Sequence, residues 1–240
     1  MDLLIVENQE RTRKRRWALG GVYRSLTDIV GYGESDKPDA TYDKKYFAAW
    51  LKQFFVKLKI SKAHILGLSQ GGAIALQFSI DYPEMVDKLI LIDSGALGAK
   101  SPPLATIGMV LQNIFPSTLT SRFFSRYILF DPNNRDPNHE RYSIEVLKSK
   151  GRKNAFTQGR GSAVSTIHKS SLSNIHNKTL VIWGENDQLF PAEYGAKAVA
   201  VMPNATLLKI KQAGHLPLMD QPKIFNKVVM DFLNNPETAH

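Results

Sequence analysis

Residues 63–72 read AHILGLSQGG, and this stretch decides the fold. Its apolar first half predicts a short buried strand, and the small residues after Ser69 predict a helix. Gly67 and Gly71 flank Ser69 two residues away on either side, where larger side chains would collide with the backbone of a sharp strand-to-helix turn. Such a turn places Ser69 at a helix N-terminus, which stabilises developing negative charge. The pattern predicts a nucleophilic serine; the alternative is a glycine-rich packing turn with an idle serine.

The sequence on both sides of this turn alternates between short β-branched runs and helical stretches, as in a mainly parallel sheet covered by helices. Predicted strands cover residues 22–27, 63–68, 89–93, 179–183 and 205–210, and predicted helices cover 44–59, 69–82, 192–201 and 222–233. Residues 99–177 carry five prolines and aromatic helical patches but no strand pattern. We therefore expect a helical insertion at 99–177 in an α/β core of residues 22–98 and 178–240, preceded by an atypical basic segment, 1–21.

A serine hydroxyl becomes a good nucleophile only when a base removes its proton. His215 is the predicted base, because it follows the last predicted strand in the sequence QAGHLP and so lies at the carboxyl edge of the sheet, like Ser69. His64 lies inside the strand before Ser69, and the other histidines lie in or beside the insertion or at the chain end. The alternative for His215 is a loop histidine without a chemical task.

The base in turn needs an acid that holds its tautomer and stabilises the imidazolium. Asp187 follows the strand 179–183 in the sequence WGEND, again at the carboxyl edge. The chain order Ser69, Asp187, His215 is the order found in hydrolases whose nucleophile stands in a Gly-x-Ser-x-Gly turn. Asp187 is thus the predicted acid, and the alternatives are Asp93, at the end of the preceding strand, Glu185 and Asp220.

At these residues the chain resembles the α/β-hydrolase superfamily, over about residues 22–235. The motifs that carry the resemblance are DIVGYGES at 28–35, the turn at Ser69, WGxxD at 183–187 and Gly-His at 214–215. The resemblance implies an α/β-hydrolase fold in which residues 99–177 form a helical cap over the active site. Four cap aromatics and the residue after His215 could then line an apolar substrate pocket, or the aromatics could form the core of the cap; these residues are Phe115, Phe123, Phe124, Tyr127 and Leu216.

The nucleophile separates the classes within this superfamily. Haloalkane dehalogenases and epoxide hydrolases use an aspartate, so Ser69 argues against both. Serine members include carboxylesterases, lipases, carbon–carbon bond hydrolases of ring-cleavage products, perhydrolases and proline iminopeptidases. Residues 81–83 and 93–98 are similar to the carbon–carbon hydrolases, but Leu216 stands where some of them carry an aromatic. The resemblance therefore implies a carboxylesterase-like enzyme for a small acyl substrate, without metal or organic cofactor; the alternative is a carbon–carbon hydrolase.

The start of the chain departs from the superfamily pattern, which has three strands before the one that ends near Asp28. A His-Gly loop after the third strand supplies an oxyanion N–H, beside the N–H of the residue after the nucleophile, here Gln70. Residues 1–21 contain no His-Gly sequence. They have room for one strand, at 3–6, but not for three. Loss of one oxyanion donor typically lowers turnover by about 10²–10³. We consider three hypotheses: a truncated, impaired copy; Gly20 and Gly21 as the substitute donor; or a non-catalytic binding protein.

The formal charge of +9 is concentrated in two segments. Five basic residues lie within 11–16, and residues 101–170 hold ten Lys or Arg against four Asp or Glu. Neither segment shows a nucleic-acid-binding signature, so we expect solvated basic surface and no nucleic-acid partner; contact with a polyanion or an anionic membrane is the alternative. No apolar run approaches the roughly 18–20 residues of a membrane span, and there is no cysteine. We expect a cytoplasmic protein; the sequence does not indicate its oligomeric state.

Overall fold

The computed structural model describes residues 3–7, 17–19, 22–26, 28–159 and 161–234. Its strands are β1 Leu3–Glu7, β2 Trp17–Leu19, β3 Val22–Leu26, β4 Ala63–Leu68, β5 Val86–Ile92, β6 Lys178–Gly184 and β7 Ala205–Ile210. Its helices are α1 Lys44–Leu58, α2 Gln70–Asp81, α3 Pro103–Ile114, α4 Thr118–Ile128, α5 Pro137–Lys148, α6 Arg152–Gly159, α7 Lys169–Leu172, α8 Glu193–Val199, α9 Pro217–Asp220 and α10 Pro222–Asn234.

The described strands form one sheet in the order β2-β3-β1-β4-β5-β6-β7. Strands β4 to β7 are parallel, whereas β1 is antiparallel to both of its neighbours and β2 is antiparallel to β3. The prediction of a mainly parallel α/β sheet is confirmed. The carboxyl ends of β4, β5 and β6 share one edge of the sheet. Ser69 directly follows β4, Asp93 directly follows β5, and Asp187 lies three residues after the end of β6.

The N-terminal strands differ in part from the prediction. The sequence predicts β1 but not β2, and the described residues before β3 therefore contain two strands where the superfamily pattern has three. Leu3 pairs with Gly67 and Val6 pairs with His64, so β1 starts at the Ser69 edge and runs away from it. Glu7, where β1 ends, therefore lies toward the edge opposite Ser69.

Apolar side chains cover both faces of the sheet where it is formed by β4 to β7. On one face Phe47, Leu51 and Phe55 of α1 pack with the β4–β6 residues Ile65, Leu89 and Val181 in the larger core cluster. The side chain of Asp43 accepts a 2.8 Å hydrogen bond from the Tyr46 N–H and so caps α1. On the other face Phe225, Val229 and Leu233 of α10 pack against Leu66, Ile90 and Ile182. Two apolar layers therefore fix the sheet edge that carries the site.

Between β5 and β6 the described part of residues 99–177 contains five helices, α3 to α7, and no strand. A Cβ atom at Gly108 of α3 would lie 3.1 Å from the ring of Phe123 in α4. The two helices therefore pack closely at this glycine. Within the described ranges, no helix has the length and apolar character needed to cross a membrane.

Candidate active site

Ser69 stands between β4 and α2 in a strained conformation. Its φ of 53° and ψ of −114° are unusual for a residue with a side chain. Three backbone bonds hold it there: its N–H donates to Ile92 O at 2.9 Å, and its carbonyl accepts from Gly95 N at 2.8 Å and Ala73 N at 3.2 Å. Strain of this kind persists only where the surroundings over-determine it, and it is frequent at functional sites.

The glycines around Ser69 are required for steric reasons. A Cβ at Gly67 would lie 2.3 Å from the carbonyl oxygen of Gly71, and a Cβ at Gly72 would lie 2.3 Å from Ser94 Oγ. Both distances are far inside van der Waals contact. The close approach of α2 to β4 and to the turn after β5 therefore needs hydrogen at both positions, as the sequence predicted for Gly67.

His215 and Asp187 meet at the same sheet edge. The Nδ1 atom of His215 lies 2.8 Å from Oδ2 of Asp187, and the two residues are only 3% and 7% exposed. The second carboxylate oxygen of Asp187 accepts the Leu189 and Phe190 N–H groups at 2.7 and 2.9 Å. Since Asp187 is an acceptor, this contact assigns the proton to Nδ1 and leaves Nε2 as a basic lone pair.

The Nε2 atom of His215 is buried and makes no hydrogen bond within the described part of the chain, including to Ser69. Hydrogen bonds nevertheless connect the ends of the strands that precede Ser69 and Asp187. Ser69 N donates to Ile92 O, Asp93 N donates to Ile182 O, and Gly184 N donates to Asp93 Oδ1. Catalytic hydrogen bonds are often long or absent before substrate binds. The structure thus brings the predicted residues to one edge without closing the Ser69–His215 bond.

The three alternative acids have other positions. Asp93 is fully buried beside Asp187, but His215 Nδ1–H donates its hydrogen bond to Asp187. Glu185 is exposed. Asp220 is committed elsewhere: its Oδ2 accepts Gly214 N and Phe130 N at 2.9 Å each, and its Oδ1 accepts the Asn134 side chain at 2.9 Å. Asp220 therefore ties the His215 loop to the segment after α4.

A buried arginine near the Ser69 turn was not predicted from the sequence. Arg152, at the start of α6, is 5% exposed, and its guanidinium carbon lies 4.3 Å from the centre of the Tyr32 ring. The Tyr32 hydroxyl donates to Gln70 Oε1 at 3.0 Å, which connects this ring to the residue after Ser69. Arg152 Nη2 donates to Asn113 Oδ1 at 3.0 Å, whereas its Nη1 and the Gln70 Nε2 are buried without a partner in the described chain. Burial lowers the pKa of Arg152.

Arg152 corrects the expectation that the basic residues of 101–170 are solvated surface. Nothing in the sequence separated it from its exposed neighbour Lys153, because its main contact, Tyr32, comes from the distant loop after β3. Two buried NH₂ groups without acceptors, one of them on a cation, are energetically costly. They offer hydrogen bonds to an anionic or carbonyl-bearing ligand next to the nucleophile turn.

The predicted pocket residues behave differently from one another. Phe115 follows α3 and is 65% exposed, so it is not part of the core of the cap. Phe123 and Tyr127 are in edge-to-face contact at 5.8 Å, and Phe124 and Tyr127 pack against the main core cluster. Leu216 packs with the α10-side cluster. Gly20 and Gly21 lie outside the described residues, and Gln70 begins α2, where N–H groups have no helical partner.

Proteins of similar sequence include several hydrolases. The chain is 30% identical over 229 residues to a 2-hydroxy-6-oxononadienedioate/2-hydroxy-6-oxononatrienedioate hydrolase of a Pseudomonas species. This match covers 87% of the chain and 76% of the Pseudomonas protein. It is 33% identical over 216 residues to a 2-hydroxy-6-oxo-6-phenylhexa-2,4-dienoate hydrolase of Comamonas testosteroni, with 87% and 76% covered.

Solved structures share the fold at lower identity. A carboxylesterase from Bacillus subtilis matches with a TM-score of 0.78 at 22% identity, over 88% of this chain and 73% of that one. A 2-hydroxy-6-oxo-6-phenylhexa-2,4-dienoate hydrolase from a Rhodococcus strain matches with a TM-score of 0.74 at 20% identity, over 89% and 80%. The curated relatives support an enzyme of the hydrolase class. The sequence model described as alpha/beta hydrolase fold matches residues 26–222, which include the strained turn at Ser69 and the Asp187–His215 pair, and the chain belongs to this family.

Proposed function

We propose that the protein is a serine hydrolase that cleaves a carbon–carbon bond in a small dienoate substrate carrying a carboxylate and a ketone. The observation that carries this proposal is the buried Arg152, whose Nη1 has no acceptor in the described chain and whose guanidinium lies on the Tyr32 ring beside Gln70. The names of the relatives at 30–33% identity supply the matching chemistry, an oxo group and a dienoate.

The proposed mechanism begins at the ketone. Ser69 Oγ attacks the carbonyl carbon while His215 Nε2 takes the hydroxyl proton, and Asp187 holds the imidazolium through Nδ1. The Gln70 N–H stabilises the oxyanion. Before cleavage the 2-hydroxy group of the substrate gives its proton to the carbon next to the ketone, which leaves a 2-oxo group conjugated with one double bond. The carbon–carbon bond then breaks, its electron pair passes through this conjugated system to the 2-oxo oxygen, and that oxygen takes the proton from His215. Water, activated by His215, hydrolyses the acyl-enzyme and regenerates Ser69.

Arg152 explains why a carbon leaving group is feasible. A carbanion is a poor leaving group unless its electron pair spreads into a conjugated system. A cation at the carboxylate end would stabilise that charge, and the planar guanidinium can bind a carboxylate with two N–H groups. A neutral ester offers no anion to Arg152. The esterase interpretation of the sequence therefore uses the same three residues but leaves this buried cation without a role.

The proposed organisation follows from the same contact. Arg152 belongs to α6 of residues 99–177, and Tyr32 and Gln70 belong to the sheet core, so we place the substrate between a cap of residues 99–177 and the core of 22–98 and 178–240. Asp39 is hydrogen-bonded to Gln158 of α6 at 2.8 Å, which links the same two parts at the surface. We also propose a cytoplasmic location, because a chain without cysteine is compatible with a reducing compartment.

The decisive experiment compares three reagents on the purified full chain. We expect loss of the dienoate absorbance of 2-hydroxy-6-oxo-6-phenylhexa-2,4-dienoate with release of benzoate, and a kcat/KM higher than that for a short-chain activated ester. A fluorophosphonate should label wild type and fail to label Ser69→Ala. Turnover of the ester without the dienoate would favour the esterase interpretation. An unlabelled wild type without any turnover would favour a binding protein.

A further inference from the structure

We propose that Asp93 is a positioning residue that acts through Asp187: it is a neutral carboxylic acid that donates its proton to the Asp187 carboxylate, so that the pair presents a single negative charge to His215. Asp93 does not contact His215 through a hydrogen bond and is not proposed to touch substrate. The inference rests on the proposed roles of Asp187 and His215.

The burial and spacing of the two acids support a proton between them. Asp93 is 0% exposed, and one oxygen of Asp93, one of Asp187 and a ring nitrogen of His215 all lie within 4.8 Å of one another. Asp93 Oδ1 accepts the Gly184 N–H at 2.9 Å. Asp93 Oδ2 receives no donor from the described part of the chain. A buried carboxylate oxygen without a donor is costly, whereas a protonated one can itself donate to Asp187.

The number of donors decides which acid keeps the charge. Asp187 accepts three N–H groups, from Leu189, Phe190 and His215, whereas Asp93 accepts one. Two carboxylates at this separation cannot both ionise without large repulsion, so the proton stays on the less solvated one. Burial, and after it the negative charge of Asp187, raises the pKa of Asp93 well above its usual value. The other ionisable groups that face Asp93 are His215 and, through its negative charge, Asp220.

The consequence for catalysis is orientation. A proton from Asp93 pulls Asp187 toward β5, while the Leu189 and Phe190 N–H groups hold its other oxygen. These contacts leave Oδ2 directed at His215 Nδ1. If Asp93 were ionised, repulsion would push Asp187 away from this position and add a second negative charge beside the imidazole. The neutral acid therefore keeps the Asp187–His215 bond in place as His215 gains and loses its proton.

A matched pair of substitutions separates this role from simple packing. Asp93→Asn keeps an acceptor for the Gly184 N–H and offers an N–H to Asp187 but has no proton to lose. Asp93→Leu keeps the branched shape of the side chain, although two methyl groups are larger than two oxygens, and removes both bonds. We expect Asp93→Leu to lower kcat and the rate of fluorophosphonate labelling by about 10²-fold, part of the usual general-base contribution, with KM unchanged, and Asp93→Asn to recover most of that loss. Wild type should lose activity on the alkaline side, where Asp93 ionises, and Asp93→Asn should lack this decline.

Infrared difference spectra test the protonation itself, independently of any substrate. At neutral pH wild type should show the carbonyl stretch of a neutral carboxylic acid that is missing in Asp93→Asn, and this readout holds even if the proposed reaction is wrong. A missing band in wild type, or an Asp93→Asn variant as impaired as Asp93→Leu, would overturn the proposal. Activity that disappears on dialysis against a chelator and returns with a divalent cation would overturn it too, because a cation would then bridge the two acids.

Discussion

Arg152 lies with its guanidinium 4.3 Å from the centre of the Tyr32 ring, and its Nη1 atom has no acceptor in the described chain. The ring supports the cation from one side, and the Tyr32 hydroxyl holds Gln70 at 3.0 Å. One aromatic residue thus connects the proposed anion site with the nucleophile turn. The substrate carboxylate and the reacting carbonyl would bind on either side of this connection.

The first prediction concerns Arg152→Gln. Loss of a charge-assisted bond to the substrate carboxylate costs about 1.5–3 kcal/mol, so kcat/KM for the dienoate should fall by at least tenfold (about 1.4 kcal/mol per factor of ten). Hydrolysis of a neutral activated ester should change much less, since it has no carboxylate. Lys153→Gln is the matched control, because Lys153 is the next residue of α6 and is exposed. Equal losses on both substrates would contradict the anion-binding role.

The second prediction concerns Asp187→Asn. The amide can donate to His215 Nδ1 and so favours the wrong tautomer, with the proton on Nε2. In a serine protease triad, the worked case for this substitution, the loss in kcat is about 10⁴, and we expect a loss of similar order here. We do not expect Asp93 to compensate, since its Oδ2 accepts no hydrogen bond from His215 or from any other described residue. Retention of more than a tenth of wild-type activity would favour Asp93 as the acid in place of Asp187.

The extent to which the sequence predicted this site follows from the range of each interaction. The turn at Ser69 depends on residues within a few positions, so Gly67, Ser69 and the helix start could be predicted. Asp187 and His215 could be predicted because the ends of parallel strands share an edge. The contact of Arg152 with Tyr32 and the antiparallel direction of β1 depend on pairing between distant segments, for which no local pattern exists. The exposed Phe115 shows the same limit, since no local pattern states whether a residue just after a helix is covered by another part of the chain.

The third prediction concerns Asp220→Ala. This change leaves the buried Gly214 N–H and the Phe130 N–H without their acceptor. An unsatisfied buried donor costs about 1–3 kcal/mol, and each kcal/mol lowers Tm by about 2–4 °C in a chain of this size. We expect a lower Tm and also a lower kcat, because Gly214 precedes His215. Glu185→Ala, at an exposed acid of the same edge, is the control and should leave both unchanged. Unchanged thermal stability in Asp220→Ala would argue against the role of Asp220 in holding the His215 loop to the segment after α4.

The fourth prediction is a pH dependence of stability that follows from the raised pKa of Asp93, caused first by burial and then by the Asp187 charge. In the unfolded chain Asp93 ionises near its ordinary value of 3.8, whereas in the folded chain it keeps its proton to higher pH. Between these two values the folded state binds one proton more than the unfolded state. Linkage then requires that this contribution is complete below the unfolded pKa and is lost as pH rises through the folded pKa.

Asp93→Asn carries no titrating group at this position, so it isolates that contribution. The Tm of Asp93→Asn minus that of wild type should therefore increase as pH rises from about 4 and become constant above the folded pKa of Asp93. All other titrating groups are common to the two proteins and largely cancel in the difference. Thermal unfolding at matched ionic strength across this range measures it. A difference that decreases with pH would mean that Asp93 is ionised in the folded protein, because a carboxylate stabilised by folding loses its contribution in acid rather than in base.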